Sequence, residues 1–329
     1  MKNKKAYLII TILIAIIILF SVFNATVSSS VKASLYMCYN SVIPALFPFF
    51  VLAEFITSIF MATNLNPYVF AFISGLISGF PTGTQNVCNL YKNNKITKEK
   101  ATALLHSTAN ASPAYVVAFV GACLIKSKSI GYILLLSQII CSIICACSFK
   151  VFKKSKTTNI TLLNVTEIAT KSVVGSVSAI LNVCGYIVFM GIFADIAAKI
   201  IPSFIPTNIK GIVYGSIEIT RGITVLDFSN SSAILIAAFI IGFSGISVIL
   251  QCVSCAKQAG LPCMPIVKGK IIYAVLMPLI TFVITKIIPI TFSSPSFILG
   301  SVIFVIFLLF LFVFIYIIFD KMYKSLYNK

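Results

Sequence analysis

Residues Ser78-Gly79-Phe80-Pro81-Thr82-Gly83-Thr84-Gln85 form a short polar break in a chain that is otherwise strongly apolar. Ser107-Thr108-Ala109-Asn110-Ala111-Ser112-Pro113 follows it. A matching pair recurs in the second half: Glu218-Ile219-Thr220-Arg221-Gly222, then Gly242-Phe243-Ser244-Gly245-Ile246-Ser247. In hydrocarbon, non-helical backbone survives only where protein buries it or a water-filled cavity faces it. Paired interruptions at corresponding places in two halves point to the substrate site of a transporter. The breaks thus predict both a fold and the place of its site.

Working outward, the chain of 329 residues is 59% hydrophobic and 10% charged, with a mean hydropathy of +1.07. That excludes a soluble domain and predicts a polytopic α-helical membrane protein. A β-barrel would show short alternating segments instead of long apolar runs. The net charge of +18 invites a nucleic-acid reading, but the basic residues lie between apolar runs, where they set topology. Membrane lipid is therefore the expected partner, and nucleic acid is not. Most of the ten cysteines lie inside apolar runs and read as small hydrophobes. Cys252-Val253-Ser254-Cys255 has no second pair and no nearby histidine, so neither a metal nor a cofactor is expected.

Long apolar runs cover 7–23, 42–61, 101–124, 131–149, 172–198, 233–256, 271–289 and 297–319. Each is near the ~20 residues that a bilayer core requires. Eight spans result, leaving 69–90 and 209–228 as shorter, broken segments. Placing both termini, 91–100, 150–171 and 257–270 in the cytoplasm puts 18 of the 25 basic residues there, as the positive-inside rule demands. The alternation closes only if 69–90 and 209–228 each enter and leave on one side, as re-entrant hairpins. The two halves then have opposite topology, and Ala53-Glu54 and Ala194-Asp195 occupy equivalent places. The expected architecture is all-α with an inverted repeat. A transmembrane helix fills 1–38, the first repeat 39–149, a cytoplasmic linker 150–171, the second repeat 172–290, and a last helix with a basic tail 291–329.

Several residues qualify for the site. Gly79 and Gly83 permit close backbone approach and Pro81 forbids a continuous helix, while Thr82, Thr84 and Gln85 supply polar groups. Thr108, Asn110 and Ser112 precede Pro113, which frees a carbonyl. The alternative for each is a surface loop, a packing motif or a simple proline kink. Glu54 and the single histidine, His106, are candidates for ion coupling. Glu54 could equally pair with a lysine, and His106 could lie in the wet interface. Glu218, Thr220 and Arg221 surround Gly222, and Arg221 is the only arginine. Its planar fork suits a carboxylate ligand, unless it pairs with Glu218 or Asp227 as structural glue. Gly242, Ser244, Gly245 and Ser247, with Gln251 beyond, form the partner break.

The Gly79-Phe80-Pro81-Thr82-Gly83 break, the Ser107-to-Pro113 segment, Glu218-Ile219-Thr220 and Gly245-Ile246-Ser247 with Gln251 resemble those of a known family. They look like the YlbJ-type sporulation integral membrane proteins of the nucleoside-recognition (Gate) group, similar in architecture to concentrative nucleoside transporters. The resemblance covers about 40–285, and the apolar tail after 297 carries none of the motifs. One branch of this family is the stage V sporulation dipicolinate transporter. The resemblance implies a multi-pass protein of the cell membrane or outer forespore membrane that moves dipicolinate, a small aromatic dicarboxylate, by alternating access. No catalysed reaction is expected. A nucleoside or nucleobase carrier and a non-transporting sporulation partner protein stay open as alternatives. For an anion, Arg221 and half-helix N–H groups would offset the charge.

Overall fold

The computed structural model of the chain describes residues 2–61, 66–149 and 165–287, and every regular element among them is helical. Helices α1 (Lys2–Val22) and α2 (Asn24–Met37) are separated only by Phe23. A wide π-helical turn, Cys38–Val42, leads into α3 (Ile43–Met61). Next come α4 (Pro67–Ile77), α5 (Thr82–Lys92), α6 (Lys98–Leu104), a π-helix at Ala114–Leu124, and α7 (Lys128–Ser148). The second half holds α8 (Val165–Ile200), α9 (Thr207–Ile217), α10 (Ile219–Thr224), α11 (Ser231–Phe243), α12 (Gly245–Gln258) and α13 (Met264–Ile287). Five segments are long and apolar enough to cross a bilayer: Asn24–Ile56, Lys128–Ser148, Thr166–Ile200, Ser231–Gln258 and Met264–Ile287. The protein is thus a multi-pass α-helical membrane protein. The span expected at 297–319 and most of the linker at 150–171 lie outside the described residues.

The breaks foreseen in the sequence separate these helices. Gly79, at φ +71°, ends the α4 arm, and Pro81 opens α5. The run 101–124 is divided into α6 and the π-helix by the irregular stretch 105–113. The run 233–256 is divided into α11 and α12 by Ser244 at φ +66° and Gly245 at φ +64°. A left-handed serine is strained. Here its hydroxyl donates 2.8 Å to Ile241 O, which closes the end of α11. Caps set other starts: Asn66 accepts from Tyr68 N at 2.9 Å ahead of Pro67, and Glu218 accepts from Arg221 N at 3.0 Å.

Each hairpin crosses glycine on glycine. A Cβ placed on Gly83 would meet Gly75 Cα at 2.7 Å and Thr108 O at 2.5 Å. One placed on Gly222 would overlap the backbone of Gly215, and one on Gly245 would meet Gly215 O at 3.0 Å. In both halves, then, the hairpin arms touch at paired glycines and the broken helix of that half presses on the crossing. Beyond this, α5 packs on α12 of the second half, and α10 packs on the π-helix of the first half.

Three boundaries differ from the sequence reading. The expected helix over 1–38 is two helices parted at Phe23, and helical backbone continues through 24–41, although the Asn, Ser and Lys content there lowers the hydropathy below that of a span. Its Ser30 and Ser34 are buried, with Ser34 against Gly191 of α8. Helix α8 starts at Val165, inside the expected linker, and α13 starts at Met264 instead of 271. The last shift moves Lys268 and Lys270 out of the expected cytoplasmic loop and into a helix.

Candidate functional site

The hairpin tips and broken helices meet around one narrow cleft. Phe80 from the first break and Tyr115 from the π-helix form its first-half wall, their rings 5.5 Å apart in an edge-on arrangement. Helix α8 adds Val183, Tyr186 and Ile187. The second half contributes Glu218, Ile219, Ser247, Val248 and Gln251. In this conformation its walls close on one another, leaving room for about one water molecule. Three rings and a few convergent polar groups make it amphipathic.

Of the residues nominated from the sequence, Glu218, Ser247 and Gln251 line the cleft. Gln251 is 6% exposed and its Oε1 has no partner among the described residues. Glu218 is 2% exposed, and its Oε2 accepts from Thr220 Oγ1 and Arg221 N. The other polar residues mainly satisfy the breaks themselves. Thr108 Oγ1 donates 3.0 Å to Leu104 O, and Ser112 Oγ accepts from Tyr115 N at 3.1 Å. Asn110 bridges Ser107 O at 2.8 Å and Ser142 Oγ at 2.9 Å, and Ser142 in turn meets Tyr273 Oη at 2.7 Å. Thr84 faces Cys252 of α12. Thr82 is half-buried and Gln85 exposed, and neither reaches the cleft wall. Glu54 lies on α3 with its carboxylate facing Gly175 of α8. His106 stacks on Phe149 at 3.6 Å and turns Nδ1 towards Thr102 O and Ala103 O. The structure does not bring these two groups to the cleft.

Sporulation integral membrane protein YlbJ of Bacillus subtilis (strain 168) is 24% identical to this chain over 305 residues, covering 73% of this chain and 74% of that protein. The likeness is of the YlbJ type. It bears out the family resemblance read from the breaks. No family model matches the chain, and no solved structure matches it.

Arg221 is held by neither of the partners that the sequence offered, Glu218 and Asp227, but by Asp195. Its Nη2 lies 3.0 Å from Asp195 Oδ2 and donates 2.7 Å to Ser34 Oγ. The ion pair joins α10 to α8 and α2, while Glu218 and Asp227 are engaged elsewhere. Asp227 accepts from Ser229 N at 3.0 Å, and the Ser229 hydroxyl and amide hold its carboxyl below the usual range. The pair is partly exposed, at 16% for Arg221 and 29% for Asp195, so solvent screens it. Asp195→Leu is expected to cost roughly 1–2 kcal/mol of stability by stranding the guanidinium. The double variant Asp195→Leu/Arg221→Met should recover most of that loss in a thermal-unfolding assay. A double variant no better than the single one would show that Asp195 is not the group that neutralises Arg221.

A group that the sequence reading counted as a cytoplasmic loop charge also reaches this region. Lys270 of α13 is 3% exposed and its Nζ donates 2.7 Å to Ser244 Oγ. It lies 6.0 Å from the centre of the Phe80 ring and 5.4 Å from that of Tyr273. Its one sequence signal is position: it sits at the edge of an apolar run with no acidic residue within a helical turn.

Proposed function

We propose that this chain is a sporulation membrane transporter that carries dipicolinate, or a closely similar aromatic dicarboxylate, by alternating access. The carrying observation is the convergence of both halves on one cleft. Each half contributes a hairpin tip and a broken helix, and each hairpin crosses on paired glycines, Gly75 with Gly83 and Gly215 with Gly222. Such correspondence supports an inverted repeat with 69–90 and 209–228 as re-entrant hairpins, and the distribution of basic residues supports an eight-span topology with cytoplasmic termini. The rings of Phe80, Tyr115 and Tyr186 suit a flat aromatic solute. The likeness to a B. subtilis sporulation integral membrane protein supports the sporulation setting, and the outer forespore membrane is the place proposed for this chain.

A second reading draws on Glu218. A buried carboxylate in the cleft wall, beside Ser247 and Gln251, offers hydrogen bonds to the hydroxyls and amides of a neutral nucleoside or nucleobase. Uptake of radiolabelled dipicolinate by proteoliposomes, with unlabelled dipicolinate and uridine as competitors, decides between them. Saturable uptake blocked by dipicolinate and untouched by uridine is the expected result. Uptake of uridine with none of dipicolinate would move the assignment to the second reading. Uptake of neither solute would remove the transport proposal and leave the partner-protein role.

A further inference from the structure

We propose that Lys270 is the anion-binding group of this carrier, receiving one carboxylate of the solute that enters the cleft. The inference rests on the transport reading above and names the cation that reading requires, since Arg221 is already neutralised by Asp195. The ammonium is buried, and no carboxylate lies within ion-pair distance of it among the described residues. A hydroxyl and two ring faces offset only part of the cost of desolvating it. A cation kept in that condition within a membrane span is a charge awaiting a mobile partner.

Its surroundings favour an anion in the same place. Ser244, which accepts the Lys270 hydrogen bond, immediately precedes α12, and Phe80 stands two residues before α5. Neither helix start has a side-chain cap. In α5 Gly83 N is already taken by Gly79 O at 2.7 Å, so what the two helix starts offer an anion is the positive end of their dipoles. The two helices lie side by side, with Thr84 in the first turn of α5 meeting Cys252 of α12. Lys270 is not itself in the cleft wall; it adjoins the cleft through Phe80, whose ring lines the cleft and also neighbours Nζ. On the cleft side, the unpartnered Gln251 Oε1 is an acceptor, so it offers nothing to a carboxylate. Glu218 repels an anion from the same wall. Without Lys270 the cleft would favour a neutral solute, so this lysine sets the charge preference.

The test uses the full-length protein in lipid nanodiscs. Ligand-induced thermal shifts are read for wild type, Lys270→Met and Lys270→Arg, with dipicolinate, phthalate and the neutral pyridine-2,6-dicarboxamide as probes. Lys270→Met should unfold at the wild-type temperature or above it, because removing an unpaired buried charge does not destabilise. It should bind dipicolinate on the order of 10- to 100-fold more weakly, the worth of one charge-assisted hydrogen bond. Binding of the diamide should be unchanged, and Lys270→Arg should retain much of the dianion affinity. Stabilisation of wild type by phthalate alone, lost in Lys270→Met, would sink the dipicolinate reading and uphold the lysine site. Equal loss of dianion and diamide binding, a lower unfolding temperature in Lys270→Met, or no stabilisation of wild type by either dianion overturns the proposal.

Discussion

Gly222→Ala and Gly83→Ala should each remove most of the folded protein recovered from membranes, whereas Gly185→Ala should leave it unchanged. In a helix interior, alanine ordinarily gains about 1 kcal/mol over glycine. At Gly222 the new methyl would enter the backbone of Gly215, and at Gly83 it would meet Gly75 Cα at 2.7 Å and Thr108 O at 2.5 Å. These are main-chain atoms on two packed segments, so neither can rotate aside. Overpacking of this kind costs about 1–3 kcal/mol or more, which outweighs the propensity gain. At Gly185 nothing lies within 4 Å of the added carbon, so only the propensity term acts. Fluorescence-detected gel filtration after a heating series reads all three. Tolerance of Gly83→Ala with loss at Gly222→Ala would mean that the two hairpins do not cross in the same way.

The same glycines explain why so much of the fold is legible in the amino-acid sequence. In a run of Ile, Phe and Val, a Gly-Phe-Pro-Thr-Gly cluster has no use in a continuous helix. Its position therefore marks the turn between α4 and α5, and Ser244-Gly245 marks the turn between α11 and α12 in the same way. Helix α2 is not legible by hydropathy. Its serines face α8 and Arg221 instead of lipid, and a composition window cannot see which face is buried. The start of α13 fails for the opposite reason. Lysines before an apolar run read as a loop signal, yet Lys270 turns inward.

The site is legible in place more than in detail. Glu218, Ser247 and Gln251 line the cleft, because a helix break leaves polar groups pointing into the space it creates. Thr108, Asn110 and Ser112 are as polar, but they are spent on the backbone of the breaks, and Thr220 is spent on the Glu218 carboxylate. Which polar groups serve the chain and which serve a solute depends on partners far away in sequence. Asn110 with Ser142, and Arg221 with Ser34 and Asp195, are such pairings. Tyr115 and Tyr186 carry no sequence signal beyond being aromatic in apolar runs.

Gln138→Leu should be the most damaging single change in α7, although it replaces a polar residue in an apolar helix with a greasy one. The Gln138 side chain donates 2.8 Å to Ala111 O and accepts from Ala111 N at 3.1 Å, closing a two-bond clamp on the irregular stretch before Pro113. Both residues are buried, at 2% exposure for Gln138 and 0% for Ala111. Leucine would strand a donor and an acceptor where no water reaches them. Each stranded group costs about 1–3 kcal/mol, so a loss of roughly 2–6 kcal/mol is expected. The hydrophobic gain from leucine is small by comparison, since lipid is as apolar as the helix interior. Gln138→Glu keeps the acceptor alone and should fall between wild type and Gln138→Leu when thermal unfolding is followed in detergent. Because the clamp fixes 105–113 against α7, Gln138→Leu should also raise thiol labelling of a cysteine placed at Ala109 in a cysteine-depleted background. A stable Gln138→Leu protein with unchanged labelling would mean that the break is held by its own Asn110 and Ser112 bonds. The clamp would then be incidental to the geometry of the cleft.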